Sequence, residues 1–147
     1  MLCARYGPVA LEYVGGRVRL AEACEKYVEL AEFVKSIKVE GPLIALLGIR
    51  RGTAASYSAV AKALGLTPRA VGKLLAKNPL PVILPCHRVV YADGRLGGYE
   101  YGVEVKRALL RHEGALCGDR ACRLSGVEPV EGDVYAAILK SLGLNDI

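Results

Sequence analysis

The chain has 147 residues, of which 52% are hydrophobic and 24% are charged, and its formal net charge is +5. This balance excludes an intrinsically disordered protein and is typical of one globular domain, alone or with a small attachment. The longest apolar stretches, such as residues 43–49, are too short to span a bilayer, and no basic and then apolar leader follows Met1. We therefore expect an intracellular, cytoplasmic protein that does not enter a membrane.

The N-terminal part of the chain predicts a small αβ unit. Residues 9–13 and 17–20 are short β-prone runs on either side of a double glycine, which indicates a hairpin. Residues 22–39 place apolar side chains at helical spacing, which predicts an amphipathic helix that ends at a Gly-Pro pair. We interpret residues 1–42 as a small N-terminal αβ cap.

The next part of the chain is rich in helix signals. After a short helix over residues 43–48, Ser56 is a candidate N-cap for a helix that ends at Gly65. Thr67 is a candidate N-cap for a second helix, with Pro68 in its first turn, where a missing N–H costs nothing. Two helices joined in this way predict a helix-turn-helix whose second member is the recognition helix.

Prolines and glycines divide the rest of the chain. Residues 78–81 contain two prolines and are predicted to be irregular. Residues 89–96 predict a tight hairpin that turns at an Asp-Gly pair, and helices that end at glycines are predicted over residues 103–113 and 133–142. The predicted fold class is α/β (α+β), in which the cap is followed by a mainly helical domain over residues 43–147.

Charge is distributed unevenly along the chain. Residues 51–92 include six basic side chains and no acidic one, whereas the tail from residue 115 has three basic and five acidic side chains. A surface of one sign attracts a polyanion, so nucleic acid is the expected partner of the basic segment. The alternative is an ordinary solvated helix face rich in lysine.

The five cysteines are Cys3, Cys24, Cys86, Cys117 and Cys122. None has CxxC spacing, and the two histidines, His87 and His112, lie away from Cys3 and Cys24, so we predict no metal site. The shortage of Gln, Trp, Met and Asn suggests a thermophilic source. Because such organisms sometimes keep disulfides inside the cell, Cys3–Cys24 and Cys117–Cys122 are left open as bridges.

Residues 84–90 have the layout of a placed nucleophile. An apolar run stops at Pro85, presents Cys86 and His87, and becomes apolar again after Arg88. A thiol attacks as the thiolate, so a reactive cysteine needs nearby positive charge, an imidazole or a helix N-terminus to lower its pKa. His87 and Arg88 would supply two of these. The alternative is a buried structural cysteine beside an incidental histidine.

Several segments resemble one protein family in their order and spacing. They are Ala55-Ser56-Tyr57, Arg69-Ala70-Val71-Gly72, Asn78-Pro79-Leu80-Pro81, Pro85-Cys86-His87-Arg88-Val89-Val90, Gly97-Gly98-Tyr99 and Lys106 through His112-Glu113-Gly114. Together they resemble the O6-alkylguanine-DNA alkyltransferases, the self-inactivating repair proteins also called methylated-DNA-protein-cysteine methyltransferases. The resemblance covers about residues 43 to 114.

The resemblance implies a reaction without a cofactor. Cys86 would accept the alkyl group of O6-alkylguanine, with O4-methylthymine as a further candidate substrate. His87 would relay the thiol proton through a water, Glu113 would hold and polarise the imidazole, and Asn78 completes the catalytic set. Because the methyl group comes from the damaged base and a thioether is a poor leaving group, the protein would act once.

The resemblance also assigns a substrate pocket. Tyr57 would donate to the purine ring and Tyr99 to O6, with Lys106 nearby. Backbone groups of the nucleophile and of Val89 would read the exocyclic amine. The backbone N–H of Glu100 would meet O6, but a small hydroxyl residue is expected at this position, so the effect of its side chain on substrate choice is in doubt.

A base inside a duplex must be flipped out before it can meet a buried thiol. Arg69 matches the family's arginine finger, which fills the vacated stack, and Ala70 and Gly72 would permit close approach to the minor groove. Thr67 and Lys73 complete the predicted DNA-binding surface.

Two residues are assigned to the framework of the site. Asn78 resembles the hinge between the recognition helix and the Cys-His-Arg turn, and Arg88 would anchor that turn as a structural residue. The expected partner is double-stranded DNA containing O6-alkylguanine, bound by a monomer.

Two other functions use part of the same pattern. An alkyltransferase-like protein flips and marks the damaged base without transferring anything, but such proteins lack the reactive cysteine, so Cys86 argues against this reading. A helix-turn-helix transcription regulator would account for residues 61–74, but it has no use for residues 85–90 or for the pair Tyr57 and Tyr99.

Overall fold

The computed structural model describes residues 1–144, and its first part is an antiparallel sheet. Strands β1 (Leu2–Tyr6), β2 (Val9–Val14) and β3 (Arg17–Ala21) pair in the order β1-β2-β3. The predicted hairpin is confirmed as β2 and β3, whereas β1 was not predicted from the sequence. Cys3 and Ala4 are both buried, so β1 lacks the strict alternation that marks a half-buried strand.

The long helix predicted over residues 22–39 is wrong, because only α1 (Leu30–Lys35) forms. The residues before α1 are tied to β1 instead. Cys24 forms a disulfide with Cys3, and Val28 N donates to the Cys3 carbonyl at 2.9 Å. This covalent bond and this hydrogen bond hold the segment beside the sheet, where its amides do not close helical turns.

The middle of the chain contains a 3-10 helix followed by a strand and two helices. They are the first 3-10 helix (Pro42–Gly48), β4 (Ala55–Ser56), α2 (Tyr57–Leu64) and α3 (Pro68–Ala76). Both predicted N-caps are confirmed: Ser56 Oγ accepts from Ala59 N at 3.0 Å, and Thr67 Oγ1 accepts from Ala70 N at 3.1 Å. Gly65 ends α2 in a left-handed conformation with φ 67°, which glycine adopts without steric cost.

The remaining elements follow the irregular segment after α3. They are the second 3-10 helix (Cys86–Arg88), β5 (Val89–Val90), α4 (Val103–His112), β6 (Leu116–Cys117), β7 (Arg120–Ala121) and α5 (Val134–Ser141). The two predicted helices are confirmed as α4 and α5. The predicted hairpin over residues 89–96 is wrong as a strand pair, because β5 pairs in parallel with β4. A tight turn is present, in which Gly94 N donates to the Tyr91 carbonyl at 2.9 Å.

The larger of two hydrophobic clusters draws on most elements of the described chain. It includes buried side chains from the sheet, the helices and the segment before Cys86, among them Leu11, Phe33, Leu46, Val71, Leu84, Leu109 and Ile138. The division of the chain after residue 42 stays a prediction. Within residues 1–144, no helix has the length and apolar character needed to cross a membrane.

Candidate active site

The Pro-Cys-His-Arg segment forms a compact turn. Pro85 has φ −78° and ψ 67°, the geometry of an inverse γ-turn, and Cys86 N donates to the Leu84 carbonyl at 2.7 Å. The second 3-10 helix follows at once and leads into β5. Because the backbone turns sharply here, the alternation that would send Cys86 and His87 to opposite faces of an extended strand does not apply.

Cys86 lies at a cleft of about 440 Å³ between α3 and the segment that leads into α4. The volume is that of a small-molecule site. The residues that line it are Tyr57, Gly72, Leu75, Ala76, Asn78, Pro81, Cys86, Gly98, Tyr99, Glu100, Tyr101 and Lys106. The cleft therefore brings together a thiol, three tyrosines and a lysine from three separate parts of the sequence.

Cys86 is unpaired and 7% exposed. Burial raises the pKa of the Cys86 thiol above its ordinary value, although the nearby side chain of Asn78 and the charge of Lys106 act in the opposite direction. The resting form at neutral pH is therefore the thiol. The expectation that Arg88 activates Cys86 is wrong, because the Arg88 guanidinium is bonded to other groups.

Asn78 connects the end of α3 to the active-site turn. Its Nδ2 donates to the Leu84 carbonyl at 2.9 Å, and its Oδ1 accepts from Leu80 N at 2.9 Å. Between these contacts Val82 has φ 72°, a left-handed conformation that a β-branched residue adopts only under strain. Strain of this kind costs on the order of 1–3 kcal/mol, and the amide bridge of Asn78 helps to offset it.

His87 is fully buried and faces Glu113 at the end of α4. Its Nε2 lies 3.0 Å from Glu113 Oε1. Burial alone would raise the pKa of Glu113, but its interaction with His87 and the charge and hydrogen bonds of Arg88 outweigh burial and hold that pKa well below its usual range. Because the carboxylate is ionised, His87 Nε2 carries the hydrogen, and Nδ1 is the acceptor of a neutral imidazole.

The imidazole is poised to accept a proton. Burial lowers the pKa of His87, against the attraction of the Glu113 carboxylate, so the ring is neutral near pH 7. Within the described part of the chain, the buried Nδ1 makes no hydrogen bond. The residue that follows Cys86 in the sequence therefore has a free nitrogen that can accept a proton.

Arg88 is fully buried and points away from the cleft. Its Nε and one Nη2 hydrogen bond go to the two oxygens of Glu113, at 2.9 Å and 2.8 Å. The other bonds reach the Ile49 carbonyl at 2.9 Å and both Oγ and the carbonyl of Ser141, at 2.7 Å and 2.8 Å. All five donors of the guanidinium are satisfied, and they join the active-site turn to α4, α5 and the first 3-10 helix.

Lys106 of α4 is a second buried cation and lines the same cleft. Its Nζ donates to the carbonyls of Val89 at 2.7 Å and Gly98 at 3.3 Å. Burial lowers the pKa of Lys106 to about 8. Val89, whose backbone was predicted to read the exocyclic amine, does not line the cleft, and its carbonyl already accepts from Lys106.

The predicted tyrosines occupy two walls of the cleft. Tyr57 begins α2, and its ring lies 6.0 Å from Lys106 Nζ. Burial, and then the charge of an ionised Cys86, raise the pKa of Tyr99 well above its ordinary value, so its hydroxyl keeps its hydrogen. In the described structure this buried hydroxyl has no partner with hydrogen-bond geometry. Tyr99 therefore offers a free donor beside the thiol.

The predicted DNA-binding residues are spread over α3 rather than gathered in the cleft. Arg69 and Lys73 are exposed, and Ala70 is half-buried. Thr67 caps α3 with its hydroxyl. Gly72 lines the cleft, and a Cβ built on it would meet no atom within 4 Å. The glycine is therefore not required by contacts inside the protein.

The structure uses four cysteines in disulfides. Cys3 is bonded to Cys24 and Cys117 to Cys122, which are the two pairs left open by the sequence. Among the residues that the structure describes, no three His, Cys, Asp or Glu side chains cluster as metal ligands.

Comparison with known proteins gives this arrangement a family. A family model described as "6-O-methylguanine DNA methyltransferase, DNA binding domain" matches residues 43–115. A methylated-DNA–protein-cysteine methyltransferase of Pyrobaculum aerophilum is 51% identical over 148 aligned residues, which cover 98% of this chain and 99% of that protein. The chain belongs to the methylated-DNA–protein-cysteine methyltransferase family.

Solved structures of methylated-DNA–protein-cysteine methyltransferases are also similar. Mycobacterium tuberculosis OGT in complex with DNA has a TM-score of 0.55 at 29% identity, covering 74% of this chain and 88% of that chain. The O6-methylguanine-DNA methyltransferase of Pyrococcus kodakaraensis has a TM-score of 0.53 at 26% identity, covering 76% of this chain and 96% of that chain.

Several residues at this methyltransferase site were missed by the sequence analysis. Tyr101 lines the cleft with its ring centroid 6.0 Å from that of Tyr99. Ser141 lies far along the chain but accepts two hydrogen bonds from Arg88. The hydroxyl of Tyr6, in β1, donates to Glu113. The Tyr-Glu-Tyr sequence around Glu100 was a signal for Tyr101. No local pattern could have indicated the other two, because their partners are distant in sequence.

Proposed function

We propose that this methyltransferase repairs DNA by one irreversible transfer of the alkyl group from O6-alkylguanine to Cys86 Sγ. The observation that carries the proposal is a single unpaired thiol at a cleft of about 440 Å³, next to a buried histidine with a free acceptor nitrogen. A cleft of this volume can hold a purine base and orient it against the thiol, as a displacement at carbon requires. O4-methylthymine is a second candidate substrate.

In the proposed reaction, the Sγ–carbon bond forms as the bond from that carbon to O6 breaks. The electron pair of the broken bond goes to O6. The thiol proton passes through a bridging water to His87 Nδ1, and Glu113 stabilises the resulting imidazolium. The guanine product takes up one proton at its ring, so the net change moves an alkyl group from oxygen to sulfur and one proton from sulfur to guanine.

Donors for the leaving oxygen are the second requirement. We assign Tyr99 Oη and the backbone N–H of Glu100 to O6, Tyr57 to the purine ring, and Lys106 to the electrostatic support of the thiolate. The free hydroxyl of Tyr99 supports this assignment, since a buried donor without a partner is costly unless a ligand uses it. The carboxylate of Glu100 at the same cleft would restrict the alkyl groups that are accepted.

The target base would reach the cleft by flipping out of the duplex. We propose that α2 and α3 act as a helix-turn-helix with α3 in the minor groove, where Arg69 fills the vacated stack. Lys73 and Thr67 would contact phosphates, and Ala70 and Gly72 would let the groove approach closely. The open space at Gly72, which continues the cleft surface onto α3, supports this docking.

The proposed division of the chain follows from this reaction. Residues 43–147 would bind DNA and transfer the alkyl group, with the C-terminal tail as a helical support, and residues 1–42 would act as a cap. The protein would act as a monomer. It would need no cofactor, because the damaged base supplies the alkyl group.

The test is mass spectrometry after incubation with duplex DNA that contains O6-methylguanine. We expect the mass of one methyl group to be added to the peptide that carries Cys86, in one equivalent per protein, and none in Cys86→Ser. The Cys86→Ser variant should keep its affinity for the duplex within a few fold, since affinity comes mainly from phosphate contacts. Binding without a mass change in the wild-type protein would favour a lesion-marking protein or a regulator instead.

A further inference from the structure

Tyr6 is a buried residue of β1 that reaches the catalytic core. Its side chain is 3% exposed, and its hydroxyl donates to Glu113 Oε2 at 2.5 Å across 107 positions of sequence. Tyr6 does not line the cleft and lies in the part of the chain that the family model does not match. The hydroxyl therefore reaches the carboxylate from outside the cleft.

The hydroxyl of Tyr6 completes the hydrogen bonding of the Glu113 carboxylate. Oε1 is bonded to His87 Nε2 at 3.0 Å and accepts from Arg88 Nε at 2.9 Å, and Oε2 accepts from Arg88 Nη2 at 2.8 Å. A carboxylate has about four lone-pair sites, and Tyr6 occupies the fourth. With all four donors present, the plane of the carboxylate is set, and with it the direction in which it holds His87.

Tyr6 is itself held in place by neighbours outside the cleft. Arg51 Nε donates to Tyr6 Oη at 3.1 Å, so the hydroxyl hydrogen is left for Glu113. The Arg51 guanidinium lies 5.9 Å from the ring centroid of Tyr6, and the imidazole of His112 meets that ring edge-on at 5.3 Å. Burial, followed by the Glu113 charge, raises the pKa of Tyr6 to about 12, so the hydroxyl donates over the whole working range of pH.

We propose that Tyr6 is a positioning residue for alkyl transfer, which acts through Glu113 on the orientation and basicity of His87. The N-terminal sheet is then part of the catalytic apparatus rather than a passive cover. This inference rests on the proposed function for its main assay.

The test compares Tyr6→Phe with Tyr135→Phe. The first change removes the hydroxyl and keeps the ring between Arg51 and His112. Tyr135 is a matched control, because its hydroxyl also ties two distant parts of the fold together, by donating to the Ile37 carbonyl at 2.7 Å, but does not contact Glu113. We expect Tyr6→Phe to lower the saturating rate of methyl transfer roughly tenfold, the effect of losing one hydrogen bond to a charged group, with unchanged affinity for DNA. Tyr135→Phe should leave the rate as in the wild type.

A second readout uses no DNA. The rate at which iodoacetamide alkylates Cys86 is followed against pH, and its acid limb reports the protonation of His87. The charged groups that act on His87 are Lys106 from α4, Glu113 directly after α4 and Arg88 from its own turn, and Tyr6→Phe leaves all three in place. With one donor fewer, more of the carboxylate charge acts on the imidazole, so the acid limb should move to higher pH.

The outcomes separate the two proposals. A Tyr6→Phe protein that melts at a lower temperature but keeps the wild-type transfer rate and pH profile would show a structural tether and overturn the inference. A wild-type protein that does not transfer methyl would overturn the proposed function, and the iodoacetamide profile would still decide the role of Tyr6.

If Tyr6→Phe does not fold, Arg51→Met, which frees the hydroxyl to turn away, should shift the profile in the same direction, and an unchanged profile would refute the inference.

Discussion

Glu113 and Arg88 are opposite charges buried together behind the active-site turn, with side chains that are both fully buried. Neither charge is hydrated, so the attraction between them is needed to offset the free-energy cost of removing each from water. The same carboxylate also contacts His87, so one residue belongs both to the buried ion pair and to the proposed proton relay. A substitution of Glu113 is therefore expected to affect both the buried ion pair and the orientation of His87.

We expect Glu113→Gln to lower the free energy of unfolding by about 3–5 kcal/mol, because removal of one partner leaves the Arg88 charge buried and uncompensated. Urea unfolding would measure the change. Glu104→Gln on the same helix is the control, since its side chain is 81% exposed and paired only at the surface. The exposed pair should contribute at most about 1 kcal/mol. A loss of equal size in both variants would contradict the buried pair.

The same residue predicts how stability depends on pH. The pKa of Glu113 is lower in the folded protein than its ordinary value of 4.5, so the unfolded chain binds more protons, and stability is lost as the pH falls below 4.5. The pKa of His87 is also below its ordinary value of 6.5, which gives the same sign and a loss that begins near that pH. Melting temperatures of the wild type should therefore fall with acid, and Glu113→Gln should show the weaker dependence below pH 4.5.

At the scale of the element, α3 serves two purposes. It packs Val71 into the core and presents an exposed surface with a glycine in its interior. A glycine in a helix costs about 1 kcal/mol relative to alanine, and no contact within the protein requires Gly72. The cost is explained if an external partner needs the space above the helix.

Gly72→Ala should therefore raise stability by about 0.5–1 kcal/mol and weaken binding to duplex DNA. Thermal melts and salt-matched affinities for an undamaged duplex would measure the two effects. Ala63→Gly on the exposed face of α2 provides the reverse control for helix propensity, with a loss of stability of similar size. A Gly72→Ala protein with wild-type affinity would show that DNA does not approach α3 closely.

At the scale of the whole molecule, the two disulfides close loops of different lengths. Cys3–Cys24 joins residues 21 positions apart and fixes the segment before α1 against β1, whereas Cys117–Cys122 joins residues 5 positions apart next to the β6–β7 turn. Longer loops lose more entropy on closure in the unfolded chain. The N-terminal bridge should therefore stabilise the protein more.

Replacing Cys3 and Cys24 by alanine should cost about 3 kcal/mol of unfolding free energy, against about 2 kcal/mol for Cys117 and Cys122, by chain-entropy arguments. Denaturant unfolding of the two double variants would compare them under identical conditions. Cys86 is free in both, so thiol-modifying reagents provide a check that the site remains intact. Equal costs would mean that the folded contacts of each bridge, rather than loop length, set its effect.

Much of the local structure could be predicted from the sequence. Ser56 and Thr67 cap α2 and α3 as their residue types indicate, and α4 and α5 end shortly before the glycines that were predicted to stop them. These features depend on neighbours within a few positions. The segment before α1 shows the opposite case, because its helical spacing was overridden by a disulfide and a hydrogen bond to β1.

The candidate site divides along the same line. By itself, the sequence indicated the cysteine that we propose as nucleophile, the neighbouring histidine and the basic character of the surrounding segment, and its resemblance to the family indicated the two cleft tyrosines, because all of these can be read from residue types and their spacing. Only the tertiary structure decided that Arg88 binds Glu113 rather than the thiol, that burial keeps Cys86 protonated, and that β4 pairs with β5. Tyr6 meets Glu113 for the same reason: such contacts join residues far apart in the chain, and burial, which sets their strength, exists only after the chain has folded.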